Sequence, residues 1–146
     1  MEADLSRATR ALALAARALE RAAGERDLTL AQFRVLALVD GGDERSSLLA
    51  ERLAVAKPTI TAVVDGLVER GLLVREAVAG DRRSIRVALT ADGRAALEAA
   101  HGAMRAVLDR ILAHAEDRDA IVSALADLDN ALTARMEARI RGQVQT

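Results

Sequence analysis

The chain has 146 residues, 51% of them apolar and 29% charged, with a formal net charge of −1; one core serves about 100 to 200 residues, which excludes a multidomain enzyme and a disordered chain. With no cysteine there is no disulfide framework, thiolate nucleophile, cysteine metal site or thiol-based redox sensor. One Phe and no Trp or Tyr leave a core of Ala, Leu, Val and Ile, which suits alanine-rich helices.

Residues 3–23 place Leu5, Ala8, Leu12, Ala15 and Leu19 at alternating three- and four-residue steps, one face of a long first helix that Gly24 should stop. Its charged start, Glu2, Asp4, Arg7 and Arg10, lacks the apolar run of a signal peptide. No stretch reaches the roughly 18 apolar residues of a membrane span, so no membrane partner and a cytoplasmic location are expected. Thr29 and Gln32 stand at capping-box spacing before Leu30, Phe33, Leu36 and Val39, predicting a second helix up to Gly41-Gly42 with Phe33 in the core.

A third helix is expected from Ser46 or Ser47, either of which could cap it, through Leu48, Leu49 and Leu53 to about Val55. A fourth follows almost at once, with Pro58, the only proline, in its first turn and Ile60, Val63, Val64, Leu67 and Val68 at helical spacing until Gly71. Leu72 to Glu76 and Ile85 to Leu89 are β-prone runs around a turn at Gly80 and Asp81, a hairpin in which Ile85, Val87 and Leu89 should form the buried face. After Thr90, a good N-cap, Leu97, Met104 and Ile111 recur one heptad apart with Leu108 between them. The segment from Glu116 to Asp119 should break that helix. A last helix then presents Ile121, Leu125, Leu128, Leu132 and Met136 before a polar tail, Arg141 to Thr146.

A short helix, a tight turn, a second apolar-faced helix and a basic hairpin, in that order, make a winged helix-turn-helix. The second helix is slender enough for the major groove while its apolar face fastens it to the first. The net charge hides a local excess: from Arg70 to Arg86 five arginines face only Glu76 and Asp81, a balance of +3 that leaves −4 for the rest. Lys57 and Thr59, near exposed backbone amides, fit a phosphate contact, and Thr61 is short enough to reach a base edge. The fold class is therefore mainly α with a small β-hairpin wing.

Residues 53–72, LAVAKPTITAVVDGLVERGL, and residues 81–90, DRRSIRVALT, resemble the MarR (multiple-antibiotic-resistance regulator) family. The second string is the more specific: an Asp, an Arg two residues on, then an aliphatic-x-Leu-Thr strand resembles that family's wing. The resemblance implies one domain over residues 1–146. A DNA-binding lobe would span 28–90, flanked by dimerisation helices at 1–24 and 91–140. It implies a homodimer whose recognition helices enter successive major grooves and whose wings lower an arginine, by position Arg83, into the minor groove. Asp81 would order the wing tip by pairing with a nearby arginine, and Arg82 or Arg86 would meet phosphates. The DNA-binding set is then Ser47, Lys57, Pro58, Thr59, Thr61, Ala62, Arg75, Arg82, Arg83 and Arg86. Family members often carry Arg where this chain has Ala62 or Gly66, so base reading leans on fewer side chains.

Each assignment has a plainer rival. Arginines in a hairpin are usually a solvated face, but adjacency to a helix-turn-helix removes most of that weight. Lys57 as an ordinary surface residue must be set against its being the only lysine. Asp65 is best read as a structural partner holding helix to wing. His101 and His114 are 13 residues apart, roughly 220° around a helix after whole turns, so they cannot chelate one metal within a chain. There is no Gly-rich phosphate loop, no His-Glu-x-x-His and no Gly-x-Ser-x-Gly, hence no catalytic residue, metal or cofactor is expected. The expected function is that of a DNA-binding regulator, a repressor modulated by a small-molecule effector in the cleft between first, second and fifth helices. The alternative is a helical dimer that binds a protein or small molecule and has lost DNA recognition. A metal-sensing winged-helix type is disfavoured by the missing cysteines.

Overall fold

The computed structural model of the chain describes residues 1–42 and 45–144, and the side chains of all of these except 82–84, 143 and 144. Along the described residues run α1 (Glu2–Gly24), α2 (Leu30–Asp40), α3 (Ser46–Leu53), α4 (Lys57–Glu69), β1 (Leu73–Val78), β2 (Asp81–Leu89), α5 (Ala91–Leu112) and α6 (Arg118–Val144). The strands form one antiparallel hairpin. Helix, helix, turn, recognition helix and hairpin follow in the winged helix-turn-helix order read from the sequence.

Helix α2 starts as its sequence dictates. The Thr29 hydroxyl accepts the Gln32 amide at 3.1 Å while the Gln32 side chain accepts the Thr29 amide at 3.0 Å, a complete capping box. Val35, Leu36 and Val39 carry it into the core, where they meet Leu49 of α3, Ile60, Val64 and Leu67 of α4, Val87 of β2 and Leu97 of α5. A fully buried side chain of this size contributes about 1.5–3 kcal/mol, so this cluster holds the lobe together. A smaller cluster of Ala22, Ala23 and Met104, with Leu19, Leu30, Phe33 and Val107 around it, joins α1 to α5. Phe33, expected in the core, is only half-buried between the two clusters.

Three helices stop by one device. The backbones of Asp27 (φ 58°), Ala54 (φ 53°) and Gly71 (φ 72°) are left-handed. In each case the following residue's amide returns to the carbonyl five residues earlier: Leu28 to Ala23, Val55 to Ala50, and Leu72 to Leu67. Helix α1 ends at Gly24, as expected, and a short turn carries the chain on to the left-handed Asp27. Helix α3 starts at Ser46, as expected, but neither serine caps it: Arg45 is the capping residue, with no side-chain cap among the described residues. Leu49 and Ala50 of this helix face the core.

The hairpin is longer than predicted, and its expected buried face is only half right. Leu73 pairs with Leu89, Arg75 with Val87 and Ala77 with Ile85 on that face. Leu73 and Val87 are buried, but Ile85 is 58% exposed, since the hairpin has left the body before that register. Of the heptad Leu97, Met104 and Ile111 on α5, the first two are buried and Ile111 is 44% exposed. Thr90 caps α5 as predicted, accepting the Gly93 amide at 2.9 Å. Asp117 caps α6 through the Ala120 amide at 2.9 Å. Helix α6 continues to Val144, through most of the expected polar tail; Gln145 and Thr146 lie outside the described residues. No helix among the described residues is long and apolar enough to cross a membrane.

Candidate nucleic-acid interface

Helix α4 is two-faced. Ile60, Val64 and Leu67 are sealed against α2 and α3, while Lys57, Pro58, Thr59, Thr61 and Ala62 stand exposed on the side away from the core. The sequence produces this split because a 3.6-residue period puts the β-branched and leucine positions on one stripe and the short polar ones on the other. Pro58 fits the first turn, where no amide partner is lost. In the free chain the Thr61 hydroxyl donates to the Lys57 carbonyl at 2.9 Å, so it offers a base edge its lone pairs unless the rotor turns. Ser47 is exposed in the first turn of α3.

The wing is tied to α4 by charge. Arg75 of β1 donates to the Asp65 carboxylate of α4, both partly exposed, which is the structural role read for Asp65 from the sequence. Further out, Arg86 binds Glu76, its cross-strand partner, through Nη2 at 2.9 Å and Nε at 3.1 Å. Two of the arginines expected at DNA therefore already hold a carboxylate. Asp81 is exposed at the first residue of β2. The backbone of Arg82 and Arg83 lies in β2, and their side chains, on which the minor-groove expectation rests, fall outside the described residues. Lys57, Thr59, Thr61, Ala62, Asp65 and Arg75 are thus brought to one side of the lobe by α4 and the wing base.

Several relationships at this site had no signal in the sequence. The Thr90 hydroxyl donates to the Gly71 carbonyl at 2.6 Å and its amide to Leu72 at 3.2 Å, so the start of α5 is fastened to the end of α4. Arg94 of α5 binds Asp40 of α2 at 2.5 Å, and Arg70 reaches Gln32 at 3.3 Å. Each joins residues more than fifteen positions apart, beyond any local periodicity.

Two apolar cavities of about 280 Å3 lie toward the other end of the molecule. One, between α1, α2 and α5, is lined by Leu19, Phe33, His101, Met104, Arg105 and Leu108, and the His101 and Phe33 rings are 6.3 Å apart. The other, between α1, α5 and α6, includes Leu12, Ile111, His114 and Leu125. The histidines thus serve different cavities. Among the described residues no three His, Asp or Glu side chains are grouped to hold a metal.

A family model described as the MarR family matches residues 26–84. Among solved structures the chain is similar to the M. tuberculosis transcriptional regulator MOSR in complex with DNA. Identity is 34% over 90% of this chain and 94% of that one, with a TM-score of 0.60. It is similar to the transcriptional repressor CouR bound to a 23-mer DNA duplex, at 31% identity over 84% of this chain and 87% of that one, TM-score 0.72. It is also similar to CouR from Rhodococcus jostii RHA1 bound to p-coumaroyl-CoA, at 25% identity over 85% and 87% of the two chains, TM-score 0.70. Comparison with curated protein sequences gives no match.

Proposed function

The chain belongs to the MarR family of transcriptional regulators, and from that premise we propose that it binds a pseudo-palindromic operator as a homodimer and represses transcription in the cytoplasm without catalysing a reaction. The observation that carries the reading is the exposed row Lys57, Thr59, Thr61 and Ala62 on α4, opposite a buried stripe and beside a wing anchored by Asp65 and Arg75. Residues 28–90 form the DNA-reading lobe. Ser47, Lys57 and Thr59 hold phosphates, Thr61 faces a base edge with Ala62 against a thymine methyl, Arg83 enters the minor groove, and Asp81 orders the wing tip. Arg75, Arg82 and Arg86 supply positive potential along the wing.

Dimerisation falls to residues 1–24 and 91–140. Leu5, Leu12, Leu14, Ile111, Ile121, Val122 and Leu132 are each between 39% and 68% exposed in the single chain, an apolar surface that a second copy would cover. The effector is a small molecule in the cavity between α1, α2 and α5, whose apolar walls carry His101 and Arg105 as polar handles. Similarity to a DNA-bound repressor and to a complex with an aromatic thioester supports both halves of the reading.

A gel-shift with duplex from the gene's own upstream region tests it. Retarded complex that competes poorly with scrambled duplex is expected. Equal affinity for both, or none for either, would leave a helical dimer that no longer reads DNA.

A further inference from the structure

Helix α6 does not stay at the dimerisation end of the molecule. From Arg118 to Arg139 it travels about 32 Å at 1.5 Å per residue, and its far part packs against α3. There Arg139 lines a cavity of about 450 Å3 with Ala50, Glu51, Ala54 and Val55 of α3 and its turn, and with Lys57 at the start of α4. Among the described residues neither Lys57 nor Arg139 has an ion-pair partner, so two cations from distant parts of the sequence open onto one hollow beside the recognition helix, with Glu51 on the same lining.

The charge along α6 is sorted to match. Its first half, residues 118–130, holds Arg118 against Asp119, Asp127 and Asp129; its second half, residues 131–144, holds Arg135, Arg139 and Arg141 against Glu137. The balance passes from −2 to +2 toward the DNA-reading lobe. The helix dipole by itself favours acids toward the first turns and bases toward the last, and here that sorting also turns the positive half of α6 toward the lobe that would meet a polyanion. The hollow is open, with Glu51, Lys57 and Arg139 as its charged lining beside Ala50, Ala54 and Val55, and is of a size to admit a phosphate group with its waters.

We propose that the end of α6 is part of the DNA-binding surface, with Arg139 and Lys57 together holding one backbone phosphate beside the α3–α4 turn. This rests on the DNA-binding reading above and adds to it a contact from outside the winged helix-turn-helix. Phosphate contacts set register and affinity without reading sequence, so the clamp fixes how deeply α4 sits in the groove and not which bases it prefers.

The test is fluorescence anisotropy over a salt series with the full chain, using an upstream-region duplex and a scrambled one. Arg139→Ala should weaken both duplexes alike, by roughly five- to tenfold near physiological salt, and lower the salt slope by about one unit per half-site. Arg139→Lys should retain most of that affinity. Arg141→Ala removes the same charge about 200° around the helix and should change the slope far less. Arg139→Ala with wild-type affinity and slope, or matched by Arg141→Ala, overturns the clamp while leaving DNA binding intact. No binding by the wild-type chain overturns the underlying reading instead. If Arg139→Ala shifts the sedimentation mass, Glu51→Gln decides: losing the acid beside both cations should tighten duplex binding two- to fivefold, and unchanged affinity refutes the proposal.

Discussion

Gly93 lies so close to Leu72 that a methyl group at position 93 would fall 1.9 Å from the Leu72 carbonyl oxygen and 2.9 Å from its carbon. The contact is backbone against backbone, so neither partner can swing aside. Gly93→Ala must therefore part α5 from the base of the wing, at a cost of about 3 kcal/mol by analogy with severe overpacking. Urea unfolding followed by circular dichroism should show the midpoint falling with the m-value unchanged. A wild-type midpoint would mean the two backbones are not held together.

Ala54 takes a left-handed backbone in the turn between α3 and α4, a conformation that costs a residue with a Cβ about 1 kcal/mol or more. Ala54→Gly removes that strain and should stabilise the protein by roughly 0.5–1 kcal/mol after its own entropy loss. The opposite sign in thermal or urea unfolding would contradict the observed turn.

Asp65 binds Arg75 at the surface, where such pairs are worth less than about 1 kcal/mol. Asp65→Asn should barely alter stability. It should, however, free a cation next to the recognition helix, strengthening non-specific duplex binding and steepening its salt slope by about one unit per half-site. An unchanged slope would place Arg75 away from DNA.

Arg83→Ala should cost about 1–3 kcal/mol per half-site, mostly where an A/T-rich flank narrows the minor groove. Lys57→Ala should instead weaken specific and scrambled duplexes by similar factors. Anisotropy titrations of both variants separate the two kinds of contact, and equal losses from both variants on both duplexes would remove the minor-groove assignment.

Ile111 projects from α5 at 44% exposure beside the cavity formed with α1 and α6. Covered by a second copy, Ile111→Glu would bury an unpaired carboxylate in each protomer and weaken the dimer by at least about a hundredfold, some 3 kcal/mol. Sedimentation at micromolar concentration should then find monomer. A persistent dimer would direct attention to the exposed apolar residues of α6 as the interface.

Local chemistry was what the sequence expressed well. The capping box of Thr29 and Gln32, the cap at Thr90 and the stripe Ile60, Val64 and Leu67 are all fixed by neighbours within one or two turns, and all stand where the spacing puts them. What was misread depended on where the body ends. Ile85 alternates correctly with Arg86, yet nothing lies beneath it, and no periodicity encodes how far a hairpin overhangs its support. The end of α1 at Gly24 was legible, but the left-handed turn at Asp27 that follows it was hidden for a related reason, since it brings Leu28 into the core. Arg139 beside Lys57 joins positions 82 apart and left no trace in spacing at all.

The fastening of Thr90 to Gly71 gives α5 the character of a rigid lever. Its foot is fixed to the end of the recognition helix and the root of the wing, and its shaft is pinned a turn higher to α2 by Arg94 and Asp40. The 22 residues of α5 span about 33 Å, so a tilt of about 5° at the cavity end displaces the foot by about 3 Å. Two such feet, moving in opposite senses about a dimer axis, would change their separation by about 6 Å, close to two base-pair steps of B-form DNA. An effector would then need to do no more than wedge Met104 and Leu108 slightly away from Leu19 to put both reading heads out of phase with the grooves.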